Sequence, residues 1–545
     1  MLFFVLMALI FMAYAAITFI QPPELIQWLS QHYNLGAEKT ISLHSYVHEL
    51  AWLKMKLSLI VAFLFLCYLF IYDRNSLKES IQSVAFFFIS VRKDLLHLSR
   101  NERAIVFTLV FLFSVALIVY CYFTPVQLDE LHSWLYFIDR GALVTASYYP
   151  ASNNHIAYNL LSVVWNVFLS PLWAMRMVSV LSAIFVVLLF FVVLKRRYTA
   201  VLSIAGMLLL MSSAPFAWYA IQGRGYVLEL LGLMVILYLM IQPRYDAMTD
   251  RLLVLENVFT LYVIPIAIIP LAVLNLLYSY RLLQEGTTNI YRLMRIAIYS
   301  MVLVFLCYAP VVIFSGFEQL FNNPFAQRIP YHEALGIGWI KYMPDIWDFI
   351  SGYNGMFSII VLIALGAGSV LSFIEKKKFV LLPIAIGVLP LILLQVYPVL
   401  LFERTWLWLL IPLIFWYMEV VNFFIGLHKR WTFIVAGCFF VSIVTANGVR
   451  LYTTNRLLVQ DFMHFMEMRH DIDAHVKEKI VRVYDEEVYE CLVYYQTKEE
   501  SYKLLYKEQQ PDVKADAVLK SKQVFKSSDG SVLWMNSEKV LYLPK

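Results

Sequence analysis

Charge is what this chain has least of. Only 15% of its 545 residues are Asp, Glu, Lys or Arg, against 61% hydrophobic, whereas soluble domains are about 25% charged and about 45–50% apolar. That deficit excludes a soluble enzyme. A net charge of only +5 also argues against nucleic acid as a partner, since that needs a concentrated basic face. Glycine is scarce, at 19 residues, which removes collagen-like repeats and flexible low-complexity linkers. Five cysteines cannot all pair, and Cys67, Cys121, Cys307 and Cys438 stand in apolar runs without metal-ligand spacing. They read as small buried hydrophobes and say nothing of compartment. What the chain has instead is long apolar runs, a mean hydropathy of +0.69 and 16% aromatic residues. This is the balance of an α-helical polytopic membrane protein.

A crossing helix needs about 20 predominantly apolar residues. The runs that qualify are 2–20, 51–72, 104–122, 174–194, 199–216, 219–241, 296–315, 356–374, 379–397, 406–424 and 432–446. The first has neither a basic n-region nor a small-residue cleavage site, so it is expected to stay as a span. Residues 252–282 are too long for one ordinary helix and carry Pro265 and Pro270. They predict a hairpin of two short spans turning near 262–265. Counting the hairpin as two, the total is about thirteen crossings.

Cytoplasmic connections retain Lys and Arg. The connection 73–103, the joints Lys195-Arg196-Arg197, Arg244 with Arg251, Arg281 with Arg292 and Arg295, Lys376-Lys377-Lys378, and Lys429-Arg430 are all basic. They share one side only if the apolar segment 156–171 lies along the outer interface instead of crossing. The other side then receives the long connections 21–50, 125–173 and 316–355, together with the tail. The chain divides accordingly into residues 1–103, two spans with a basic cytoplasmic connection; 104–447, the main membrane part; and 448–545, a small soluble α/β domain on the outer face. Within the tail, 480–484, 488–495, 517–525 and 540–543 alternate like strands, and 499–505 reads as a helix.

The chemistry-bearing residues gather on the outer side. Asp129-Glu130 follows Thr124-Pro125-Val126-Gln127, a helix start by its Thr, its Pro and its Gln three positions on. Leu131, Trp134, Leu135 and Ile138 give that helix an apolar face, so it is expected to lie flat on the interface. An acidic pair at a helix start also has a structural explanation in the helix dipole. In the second cluster, Tyr148 to Asn159, Ser152 or Asn153 can cap the following interfacial helix. His155 stands at that helix's start, where donors converge on anions; Tyr149 and Tyr158 read as belt aromatics. Arg176, Arg224 and Arg404 fall at outer span ends. One such arginine usually snorkels to water, but three beside an acidic pair suit a phosphate-bearing lipid. Glu403 is placed to pair with Arg404, and Gly223 and Gly225 would let backbone and ligand approach Arg224 closely.

Together these features resemble the GT-C class of polytopic glycosyltransferases, in particular the protein O-mannosyltransferase and aminoarabinose transferase branch. Asp129-Glu130 stands where that family has an acidic pair in its first catalytic outer loop. Asn154-His155-Ile156-Ala157-Tyr158 resembles its Asn-His-Pro-Leu-Tyr motif, with Ile156 in place of proline. Leu261-Tyr262-Val263-Ile264-Pro265 is similar to its later hairpin, and Arg176 and Arg404 match arginines opening two spans. The resemblance implies a GT-C fold with two interfacial helices, and inverting transfer of a sugar from a polyprenyl-phosphate donor to a lipid, protein or glycan acceptor. Asp129 would be the general base, with Glu130 orienting the loop or acceptor. His155, Arg176, Arg224 and Arg404 would hold the donor phosphate, and Asn154, Tyr158 and Tyr262 would contact substrate. No cofactor is expected; two adjacent carboxylates are thin support for a divalent metal. The alternative function is a transporter or flippase of lipid-linked saccharides, which would place polar residues near the bilayer midplane on broken helices. A membrane scaffold would leave the acid and the arginines without a joint purpose.

Overall fold

The computed structural model describes residues 49–72, 75–149, 154–242, 246–284, 289–320, 327–352, 399–427, 429–475, 480–484, 486–495, 503–506, 517–521, 530–535 and 539–544, with scattered single positions elsewhere. The expected spans 2–20, 356–374 and 379–397, the capping residues Ser152 and Asn153 and the basic joint 376–378 lie almost wholly outside the described residues.

The helices that frame the membrane part are α1 (Glu49–Tyr72), α2 (Ser76–Leu96), α3 (Arg100–Phe123), α4 (Leu128–Ser133), α5 (Ala142–Ser147) and α6 (Ile156–Asn166). They continue as α7 (Pro171–Lys195), α8 (Ala200–Ser212), α9 (Ala214–Ile221), α10 (Tyr226–Met240), α11 (Ala247–Val263), α12 (Ile268–Gln284) and α13 (Asn289–Phe314). After α14 (Met343–Ser351) come α15 (Leu410–Leu427) and α16 (Lys429–His475). Among the described residues six helices are long and apolar enough to cross a membrane, or seven with α8 and α9 taken as one bent span. The total of about thirteen crossings remains an expectation.

Local chemistry explains where the elements begin and break. Ser99 and Glu102 form a reciprocal capping box that opens α3, which satisfies two otherwise orphaned amides. The run expected as one span over 199–216 instead bends by 60° between α8 and α9. Pro215 sits in the first turn of α9, where it cannot continue the donor ladder of α8. The run expected over 219–241 enters its helix only at Tyr226, because residues 222–225 leave helical geometry. The hairpin forms as its prolines demand: α11 ends at Val263, Pro265–Ala267 makes a 3-10 turn, and α12 returns. Asn257 and Asn275 exchange side-chain hydrogen bonds across it, and the Tyr278 hydroxyl donates to Asp250. Helix α6 has eleven residues; at ~1.5 Å each it is about 16 Å long, too short to cross.

Helix α7 is the central post, packed against α3, α6, α8 and α10. Arg176 and Lys195, near its two ends, are separated by about 28 Å along the axis at ~1.5 Å per residue. The Lys195 end gathers the basic joints. Lys195 pairs with Glu102 at 3.2 Å and Arg196 with Asp94 at 2.6 Å, while Arg197 meets Glu419, Arg251 meets Glu79 and Arg292 meets Asp250. Both ends of α2 are tied there, through Glu79 and Asp94, so α2 lies across that end.

Helix α16 has 47 residues and runs through position 448, where the composition changes, without a break. Beyond it a five-stranded sheet has the order β4-β3-β5-β7-β6, with β3 (Ile480–Val483), β4 (Lys503–Tyr506), β5 (Ala517–Ser521), β6 (Gly530–Met535) and β7 (Lys539–Pro544). A two-residue ladder, β1 (Gln327–Arg328) with β2 (Val399–Leu400), lies apart from it. Strand β3 pairs in parallel with β4 and β5, and the pairings of β7 are antiparallel. Two expectations in the tail reverse. Residues 488–495, read as a strand, lie in helix α17 (Glu486–Tyr495), and of 499–505, read as a helix, the described residues 503–505 belong to strand β4. Val488 and Leu492 are buried in the core of the tail, and Tyr495 stacks on Phe462 and Phe465 of α16. That spacing of four and three is helical, and it wins over a pattern that also fits period two.

Candidate active site

The site forms at the Arg176 end of α7, where α4, α6, the loop 222–225 and the start of the Glu403–Leu409 turn meet. Helix α4 opens at Leu128 with Gln127 before it, not at Thr124, which terminates α3. Its apolar face does not lie on the bilayer: Trp134 and Ile138 are buried against Ala174 and Met175 of α7.

Adjacent carboxylates have opposite fates. Glu130 is fully buried, and its Oε1 accepts from Arg176 Nε at 2.9 Å and the Gly223 amide at 2.6 Å. Its Oε2 accepts from Arg176 Nη2 at 2.6 Å and the Gln127 amide at 2.9 Å. Arg176 completes its set with the carbonyls of Cys121, Thr124 and Pro125 at 2.7–2.9 Å. A guanidinium has five N–H donors, and Arg176 places all five inside the protein. In this arrangement the expected phosphate holder Arg176 spends every N–H on the frame, leaving none directed to a ligand. Both Glu130 oxygens are likewise engaged, and together the two residues lock α4 to α7.

Asp129 points the other way. Its side chain is 32% exposed, and Oδ2 lies 3.0 Å from Arg404 Nη1. Partial burial raises its pKa, but Arg224, Arg404 and His132 more than offset this and hold the carboxyl below its ordinary value. Arg404, 28% exposed, rests over the Phe402 ring with its guanidinium carbon 4.5 Å from the centroid. Its Nε is buried with no hydrogen-bond partner among the described residues. Arg404 pairs with Asp129, not with the neighbouring Glu403.

Arg224 is 2% exposed. Its Nη1 donates to the Asp129 carbonyl at 3.1 Å and to Ser133 Oγ at 2.9 Å, and its Nη2 lies 3.3 Å from His155 Nε2. The flanking glycines bring backbone to these side chains rather than to a ligand: the Gly223 amide reaches Glu130 and the Gly225 amide donates to His155 Nδ1 at 2.8 Å. A Cβ on Gly225 would stand 2.8 Å from Val263 Cγ1 and 2.9 Å from His155 Nδ1. Burial first, then Arg224 and Arg404, push His155 well below the usual imidazole range, so the ring is neutral. With Nδ1 accepting, the proton is assigned to Nε2. The Nε2–H then faces the Arg224 guanidinium, whose Nη2 is 3.3 Å away.

Other expected residues serve the frame. Asn154 donates to the carbonyls of Thr145 and Tyr148 and accepts from Asn159. The Tyr158 hydroxyl bonds the Met175 carbonyl and Ser179, which in turn donates to the carbonyls of Gln222 and Arg224. Both are fully buried with these polar atoms bonded inside the protein, and Tyr158 is not a belt residue. Tyr262 stacks edge-on to Tyr308, 5.5 Å between centroids, beside Tyr149 and Ile156. Tyr149 is also no belt aromatic. It is fully buried, its hydroxyl has no hydrogen-bond partner among the described residues, and burial raises its pKa even though Arg224 opposes this.

Two contacts had no local sequence signal. His132 Nδ1 meets the buried Glu490 of α17 at 3.3 Å, and Thr124 donates to Asn455 of α16 at 3.1 Å. The tail thus grips α4 one turn from Asp129. Among the described residues no group of three or more His, Cys, Asp or Glu gathers as a metal site would require.

No family model matches the chain, and no curated protein does. Among solved structures, the crystal structure of ArnT from Cupriavidus metallidurans in the apo state is similar. Its TM-score is 0.43 and its identity 13%, over 80% of this chain and 97% of that one. At this level of likeness, function rests on the geometry alone.

Proposed function

We propose that this protein is a membrane glycosyltransferase that moves a sugar from a polyprenyl-phosphate donor to an acceptor at the outer membrane face. The observation that carries the reading is the juxtaposition of the part-exposed Asp129 with Arg404 at 3.0 Å, backed by the buried Arg224 and the neutral His155. A carboxylate base beside clustered donors is what displacement of a phosphate leaving group needs.

In this reading the donor phosphate takes Arg404 from Asp129, and releasing that ion pair raises the basicity of Asp129 as substrate arrives. Asp129 removes the acceptor proton, the acceptor oxygen bonds to the anomeric carbon, and the bond from that carbon to the phosphate oxygen breaks. In-line attack inverts the anomeric centre. The charge developing on the departing polyprenyl phosphate falls to Arg404, with Arg224 and His155 Nε2–H behind it. The Tyr149 hydroxyl, buried beside Arg224, is a further donor for the same oxygens. Glu130 and Arg176 hold the loop, and no step passes through a cofactor.

The test is transfer from a synthetic polyprenyl-phosphate sugar by the purified chain. Asp129→Asn should abolish transfer while membrane insertion and melting stay as in the wild type. Full activity of that variant removes Asp129 as base.

A further inference from the structure

A second feature lies at the far end of the bundle. Between α2, α3, α7, α10 and α11 is a cavity of about 570 Å³, within the range of about 300–1,000 Å³ usual for small-molecule sites. Its floor is apolar and buried, with Phe87, Leu189 and Leu252 all under one-tenth exposed. Its edge is apolar and open: Phe88, Phe107 and Phe185 are 55%, 47% and 45% exposed. The cavity therefore opens sideways, where a membrane protein meets acyl chains.

Its rim is basic. Arg92 and Arg103 line it, and they stand on the turns that also carry the Asp94–Arg196 and Glu102–Lys195 pairs. Those acids are occupied by other cations, and neither Arg92 nor Arg103 is ion-paired among the described residues. Arg103 donates through Nη2 to the carbonyls of Leu96 and Leu98, while its Nε is buried without a partner among the described residues. One carboxyl, Glu256, sits deeper in the wall beside Gly232.

We propose that this cavity binds one acyl chain of an anionic glycerophospholipid of the inner leaflet, with its phosphodiester held by Arg92 and Arg103. Basic pockets between spans on the cytoplasmic side recognise such headgroups, and an apolar slot excludes free phosphate as the occupant. The donor carrier is a poor fit here. Arg176 and Lys195 put the two ends of α7 about 28 Å apart, so a lipid whose phosphate lies at Arg404 cannot also place it at Arg92. Helix α2, tied at both ends, forms the lid of the slot and presents Arg92.

The experiment is native mass spectrometry of the full-length chain in detergent, titrated separately with phosphatidylglycerol, phosphatidylcholine and a polyprenyl phosphate. The wild type should retain phosphatidylglycerol in preference to phosphatidylcholine. Arg92→Glu, an exposed change, should weaken phosphatidylglycerol retention roughly tenfold or more. Val84→Trp, which fills the mouth, should abolish it without affecting polyprenyl phosphate. Equal retention of the two phospholipids, indifference to Arg92→Glu in a variant that melts like the wild type, or loss of polyprenyl phosphate in Val84→Trp would each overturn the proposal.

Discussion

Glu130→Gln discriminates sharply between a structural and a catalytic role for the buried acid. Each carboxylate oxygen of Glu130 receives two N–H donors at 2.6–2.9 Å. Whichever oxygen the substitution turns into an amide nitrogen will face two donors with a third. Arg176, fully buried with its partner, also loses its counter-charge. Breaking a buried pair from one side costs about 3–5 kcal/mol, which at roughly 1 °C per kcal/mol for a chain of 545 residues predicts melting about 3–5 °C lower. The assay is thermal unfolding of the detergent-purified chain followed by size-exclusion fluorescence. The double variant Glu130→Met/Arg176→Met should recover most of the loss, since apolar replacement of a buried pair is often neutral. A Glu130→Gln variant that melts within about 1 °C of wild type yet has lost all transfer would refute the reasoning, since a surface-like cost is within about 0.5 kcal/mol.

Gly225→Ala should press on Val263 and His155, at 2.8 and 2.9 Å, and cut turnover about tenfold, or ~1.4 kcal/mol in the barrier; steady-state kinetics check this. For pH, a carboxyl held below its ordinary 3.8 keeps its charge, and the stability that charge brings, above that value and loses both as pH falls through the lower one. Wild-type kcat/KM, which reports the free enzyme, should therefore stay flat from neutral pH down to the ordinary carboxylate range. Arg404→Ala should move the acid limb upward, because burial is then less opposed; an unmoved limb would separate Arg404 from Asp129. Glu490→Ala should loosen the tail from α4. Hydrogen exchange over residues 128–138 should quicken while the five-stranded sheet keeps its protection.

The membrane helices were legible because apolar runs of spanning length have few other uses, and the hairpin because prolines dictate its turn. The gathering of polar residues was legible too: Asp129, His155, Arg224 and Arg404 do converge. What single positions do there was not. Asp129 and Glu130 are adjacent and chemically alike, but about 100° of helix rotation sends one toward Arg404 and the other into the protein. Arg176 looks like Arg404 in sequence, and only the carbonyls of the α3 terminus show that its donors are spent. Tyr149 and Tyr158, aromatic at a loop and a short helix, gave no sign of full burial. In the tail, strand and helix exchanged places because packing on Phe462 and Phe465 outweighs local alternation. Glu490 reaches His132 across a sequence separation that no motif spans.

The central claim is that Arg404 and Asp129 share one site with a lipid-linked phosphate, and the most direct measurement is a structure of the chain with a polyprenyl-phosphate sugar bound. The account predicts the phosphate against the Arg404 guanidinium, close to Arg224 and His155 Nε2. Asp129 should be released from its ion pair and face the anomeric carbon from the side opposite the leaving oxygen. A carrier bound with its phosphate elsewhere, and with the Asp129–Arg404 pair intact beneath it, would contradict the account.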